Sequence, residues 1–187
     1  MARVRLLQNE EAPAESEEFL RKIEQNGATV LNLYRTLAHS PSTLSNFVKL
    51  GNGLFDQAEL PPKIREITIL RIATLLGSEY ELNQHVPIAL EAGVTREQIE
   101  NIHEWAESPH FNKDEKAALG YADQVTINVR VNDRVFRMLR RYFSERSIVE
   151  LTVAIGYWGM VARVLQSLEV ESDANVAGSA AKLFGKR

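Results

Sequence analysis

No cysteine occurs anywhere in the 187 residues. That single absence excludes a disulfide framework, a zinc–thiolate site and dithiol redox chemistry together. Basic excess is missing too. The 22 Lys and Arg stand against 25 Asp and Glu, for a formal net charge of −3, so no nucleic-acid partner is expected. Long apolar runs are scarce. The N-terminal stretch MARVRLLQNEEAPAESEEF holds none of signal-peptide length, and the greasiest segment, Leu151 to Val161, is short for a bilayer and flanked by Glu150 and Arg163. A cytoplasmic protein without a membrane partner is expected. There is also no glycine-rich phosphate loop and no serine-nucleophile elbow.

Helical periodicity fills the space that these absences leave. Apolar content of 44% and charged content of 25% suit one soluble domain over 1–187 with a real core. Residues 14–26 read as an amphipathic helix anchored by Phe19, Leu20 and Ile23. Pro41 opens another with Leu44, Phe47, Val48 and Leu50. Gly51 and Gly53, followed by Pro61-Pro62, frame a connection around LFDQAEL. Helices are expected over 63–77, 78–92 and 96–107, the last started by a Thr95/Gln98 capping box, with Gly93 closing the one before. Further helices begin near Asn112, at Asn132-Asp133 and at Ser144-Glu145, the last running to 168. Residues 174–187 read as a small-residue, mobile tail. The expected fold class is all-α, a compact multi-helix domain.

Three ionisable groups sit where this pattern calls for apolar ones. On a 63–77 helix, Glu66 shares a face with Ile69, Leu70, Ala73 and Gly77, with Thr68 and Arg71 nearly opposite. On a 78–92 helix, Ser78, Glu81 and His85 align with Ile88, Ala89 and Ala92, while Glu79, Asn83 and Glu91 fall on the other side. Buried carboxylates and imidazoles are costly unless paired or used. Glu81 and His85 are four apart, so their side chains can meet, and a carboxylate beside an imidazole suits acid–base chemistry near neutral pH. The same spacing also describes an exposed helix-stabilising pair. Pro87 removes an amide donor two residues on, which allows a kink and a small cavity.

Other patterns carry less. Glu100-Asn-Ile-His103 has the Glu-x-x-His spacing of di-iron bundles, but the second match, Glu107-Ser-Pro-His110, is broken by Pro109. A solvated polar face is expected there, with no metal, and His39 belongs to a turn. Gly156 and Gly159 allow close helix approach, within a subunit or between subunits, with Tyr157 and Trp158 as packing residues.

Arg65-Glu66 opening an apolar helix, the stretch Gly77-Ser78-Glu79-Tyr80-Glu81-x-x-x-His85, and Ala89-x-x-x-Gly93-Val-Thr before an acidic helix resemble the carboxymuconolactone decarboxylase and alkylhydroperoxidase-D-like family. The resemblance covers roughly 44–170, with its specific part in 44–125. It continues into Lys113-Asp-Glu-Lys-Ala-Ala and Tyr157-Trp-Gly-Met-Val-Ala-Arg. Its peroxidase members pair a glutamate and a histidine with two cysteines. Here Glu66 and His85 match the former, and Ser78 and Glu81 stand at the cysteine positions. Peroxide reduction by the thiol route is therefore impossible for this chain. The segment from Glu81 to Gly93 is similar to the decarboxylase side.

The resemblance implies a homotrimer or homohexamer, no cofactor, and a small-molecule substrate. The leading expectation is a cofactor-independent lyase (a decarboxylase) or isomerase acting on a small carbonyl or lactone compound. His85 would serve as general acid–base, Glu81 as its orienting partner or a second proton carrier, Glu66 as a buried relay or orienter, and Ser78 as a substrate contact. The alternative is a non-catalytic helical oligomer or small-ligand-binding protein that has lost the redox thiols.

Overall fold

The computed structural model describes residues 2–173, and the tail expected over 174–187 lies outside them. Nine α-helices form among the described residues: α1 (Ala14–Gln25), α2 (Asn32–Leu37), α3 (Pro41–Asp56), α4 (Pro62–Leu76), α5 (Glu79–Glu91), α6 (Arg96–Glu100), α7 (Lys113–Asn128), α8 (Asp133–Leu139) and α9 (Glu145–Ser167). Short 3₁₀ turns occupy Asn9–Glu11 and Ile102–Glu104. No described residue is in a strand. The α4 helix is the centre, packing against α5, α7 and α9.

Local chemistry sets most boundaries. Thr95 and Gln98 exchange backbone and side-chain hydrogen bonds at 3.2 and 3.1 Å to start α6, and Asn112 with Glu115 does the same for α7. Asn132 and Ser144 cap α8 and α9. Each such cap is worth about 1 kcal/mol. At the end of α4, Gly77 adopts φ +66°. Its N–H reaches the Thr74 carbonyl, and the Ser78 N–H reaches that of Ala73. This paired closure needs a left-handed residue, which a side chain would strain by about 1 kcal/mol. The tight turn folds α5 back onto α4.

Several expectations from sequence are corrected. Gly51 and Gly53 do not end their helix, because α3 continues through both to Asp56, with Gly51 buried. Tertiary packing of Phe47, Val48 and Leu54 outweighs the roughly 1 kcal/mol cost of each glycine. The 96–107 helix stops at Glu100 and passes into a 3₁₀ turn. The short helix α2, with Leu33 and Tyr34 buried, gave no periodic signal. The α4 helix has no solvent face over residues 64–70, so Thr68 is buried as fully as Glu66. The apolar segment around Leu151 belongs to a 23-residue helix that is long and apolar enough to cross a membrane by length and composition alone. In the fold, Leu151, Ala154, Ile155, Trp158, Ala162 and Leu165 of that helix are core.

Candidate active site

Where α5 returns along α4, Glu66 and His85 meet although nineteen residues apart. Glu66 is completely buried. Its Oε2 lies 2.8 Å from His85 Nδ1, and its Oε1 accepts from Arg65 Nε at 2.9 Å. Arg65 also donates to the carbonyls of Leu54 and Phe55 at 3.4 and 3.3 Å, and its guanidinium sits 4.2 Å over the Phe55 ring. One full cation, Arg65, and one further partner, the Nδ1 edge of His85, compensate the burial of this carboxyl group.

The other edge of the imidazole is held from α9. Trp158 Nε1–H donates to His85 Nε2 at 3.1 Å, with the two rings nearly perpendicular at 86°. Glu81, one turn before His85 on α5, brings Oε2 to 3.7 Å from the same nitrogen. That is too long for a hydrogen bond, and Glu81 Oε2 has no hydrogen-bond partner. Glu66, rather than Glu81, is thus the carboxylate bonded to the imidazole.

Burial pushes the Glu81 carboxyl up to about 7, the charge of Glu66 adds to that, and only the His85 charge opposes it. At His85, burial disfavours the imidazolium. The Glu66 charge and hydrogen bond and the Glu81 charge favour it and lift the group above its ordinary value. The indole N–H on Nε2 acts in the opposite sense, because it occupies the lone pair that would take the second proton.

A cavity of about 30 Å³ adjoins the cluster, room for a water or two. Glu81, Gln84 and His85 line it, with an aromatic wall of Tyr34, Phe47, Phe55, Tyr80, Tyr157 and Trp158. Gln84 is buried with its Oε1 unpartnered. Tyr34 and Tyr157 are phenols whose ionisation burial pushes upward, so they remain neutral. Among the described lining residues none carries a Lys or Arg charge. Phe55 is the lining residue that is only half-buried.

The structure brings Glu66, Glu81 and His85 together but not Ser78. Ser78 is buried, with an unpartnered Oγ, at the N-terminus of α5. It borders a separate groove of about 370 Å³ with Tyr80, Gln166 and Ser172. The α5 helix runs unbroken through Pro87, and Pro87 is not among the residues lining the cavity at His85. Glu100 and His103 are exposed, and the helix breaks between them. No cluster of three or more His, Cys, Asp or Glu suited to a metal occurs among the described residues. His39 joins a turn to the N-terminal segment through the Arg5 carbonyl at 2.8 Å. Sequence reasoning missed Tyr34, Gln84 and the role of Trp158. Only the last had a signal, since a buried indole N–H needs an acceptor.

Comparison with known proteins assigns one segment of the chain. Residues 41–124 match the carboxymuconolactone decarboxylase family. That segment is a carboxymuconolactone decarboxylase family domain. An uncharacterized protein of Bacillus subtilis, YdfG, is 27% identical over 53% of this chain and 69% of its own length. Among solved structures, a peroxidase-related protein with an alkylhydroperoxidase AhpD core from Ralstonia eutropha is similar at TM-score 0.80, with 16% identity over 95% of this chain and 96% of that one. The debrominase Bmp8 is similar at TM-score 0.76, with 24% identity over 96% and 95%. At these identities the likeness is one of fold, and this family domain holds no cysteine.

Proposed function

We propose that this protein is a cofactor-independent acid–base catalyst of the lyase or isomerase type, acting on a small carbonyl compound through the Glu66–His85–Glu81 cluster. One observation carries the reading. Glu81 is a buried carboxyl with an unpartnered oxygen and a proton affinity tuned to neutral pH, and it lines an aromatic cavity beside a hydrogen-bonded imidazole. Structural carboxylates are paired; one left unpaired at this cost suits proton transfer.

The lining favours isomerisation over decarboxylation. A carboxylate-bearing substrate would be desolvated beside Glu81 with no cation among the described lining residues to offset it. A neutral unsaturated ketone or lactone suits the aromatic wall. Its proton would leave the carbon beside the carbonyl and return at the far end of the conjugated system, so the protein gains and loses nothing. Copies of the chain associate, on this reading, through an exposed stripe on α9 of Val149, Val153, Gly156 and Met160, spaced to share one helix face.

The test is solvent-deuterium incorporation, followed by proton NMR, into a panel of small unsaturated ketones and lactones. Wild-type protein is expected to label at least one of them. His85→Ala and Glu81→Gln are expected to slow labelling about 10²–10⁴-fold with the fold intact. Equal rates in the variants would overturn the reading.

A further inference from the structure

We propose that Trp158 is a positioning residue: its indole N–H holds His85 as a neutral imidazole with the proton on Nδ1, so that Glu81 is the group that exchanges a proton with substrate. The inference rests on the acid–base reading above and assigns its roles.

The two faces of the imidazole meet partners of opposite and fixed character. An indole nitrogen only donates, because its lone pair belongs to the ring. With Trp158 Nε1 at 3.1 Å, Nε2 of His85 must be the acceptor. An ionised carboxylate only accepts. Glu66 already accepts from the Arg65 guanidinium, so His85 Nδ1, 2.8 Å from Glu66 Oε2, must carry the hydrogen. The tautomer follows from these neighbours without appeal to any titration. Trp158 is itself buried, so losing this acceptor would leave its N–H desolvated and unpaired.

A second proton on His85 would set its Nε2–H against the indole N–H. His85 therefore accepts no proton while the Trp158 bond stands. Glu81 is not so restrained, since Oε2 is unpartnered and lies 3.7 Å from Nε2, outside hydrogen-bond range. The groups around it are His85 on α5, Glu66 on α4 with Arg65 behind it, Tyr34 on α2, Tyr157 on α9, and Tyr80, whose hydroxyl donates to Asp173. The phenols stay protonated, so Glu81 is the member of this set free to cycle. In turnover, the Glu81 carboxylate forms an O–H bond as the substrate C–H bond breaks, and the same proton returns at the distal carbon. His85 and Trp158 finish as they began.

The experiment is nitrogen-15 NMR of the full chain with labelled histidine, from about pH 6 to pH 8, the range in which an ordinary histidine titrates. The His85 signals are identified by their loss in His85→Gln. Wild-type protein is expected to show a protonated Nδ1 and a bare Nε2 throughout. Trp158→Phe keeps an aromatic ring and removes the donor, and its His85 is expected to become imidazolium within that range. An imidazolium or an Nε2–H tautomer in wild type at about pH 7 would overturn the proposal, as would a Trp158→Phe spectrum identical to wild type. If Trp158→Phe does not fold, the wild-type spectrum decides alone. Because these readouts need no substrate, a clamped tautomer without deuterium labelling defeats the acid–base reading and spares the clamp, while the converse result defeats the clamp alone.

Discussion

Glu66 Oε2 and His85 Nδ1 stand 2.8 Å apart, and that hydrogen bond ties the middle of the fold to its cavity. It joins α4 to α5 across the glycine turn at Gly77 and lies behind the imidazole, away from Glu81. On the proposed acid–base reading Glu66 orients the imidazole, with Arg65 paired to its other oxygen.

That pairing predicts a stability effect. Glu66→Gln keeps the shape but leaves the Arg65 guanidinium buried without its counter-charge, which costs about 3–5 kcal/mol for a broken buried pair. Urea denaturation is expected to report a loss of this order. A loss under about 1 kcal/mol would show that Arg65 finds compensation elsewhere.

Glu81 predicts a pH dependence of the opposite sense to an ordinary carboxylate. Its folded value of about 7 lies above the 4.5 of an unperturbed glutamate, so between these values the folded state holds a proton that the unfolded state has released. Stability from this group is fully present below about pH 4.5 and lost by about pH 7. The loss is on the order of 3 kcal/mol. Thermal unfolding of wild type beside Glu81→Gln across this range is expected to show the variant gaining relative stability as pH rises. Parallel curves would contradict the assignment.

With no thiol to oxidise, purified protein is expected to show no thiol-dependent turnover of organic hydroperoxides. Turnover that survives chelation and repurification would mean that the chemistry lies elsewhere.

The α9 stripe predicts association. Val149 is 62% exposed and Met160 41%, which is costly for a helix face left in water. Light scattering at micromolar concentration is expected to report a trimer or larger, and Val153→Glu to reduce it. A wild-type monomer would contradict this.

The all-helical fold and the Glu66, Glu81 and His85 cluster were legible because the helical repeat exposes polar residues on apolar stripes. Four things were not. The α4 face argument placed Thr68 opposite the core, but a helix buried on all sides has no outward face to read. Trp158 read as packing area, since spacing carries no information about where an indole N–H points. The Glu81–His85 spacing suggested a direct bond, yet the nearer carboxylate arrives from another helix, which only tertiary structure supplies. Ser78 fell on the right stripe but one turn too early, so it borders a different groove.

The most direct measurement is the titration of Glu81 itself, by carbon-13 NMR of its labelled carboxyl and with Glu81→Gln to identify the signal. The proposed chemistry requires a buried, unpartnered carboxyl that exchanges its proton near neutral pH. A midpoint raised to about 7 or above is predicted, because a neutral His85 supplies none of the charge that would lower it. A midpoint in the ordinary glutamate range, near the 4.5 of a solvated group, would contradict the account and leave this cavity without a proton carrier.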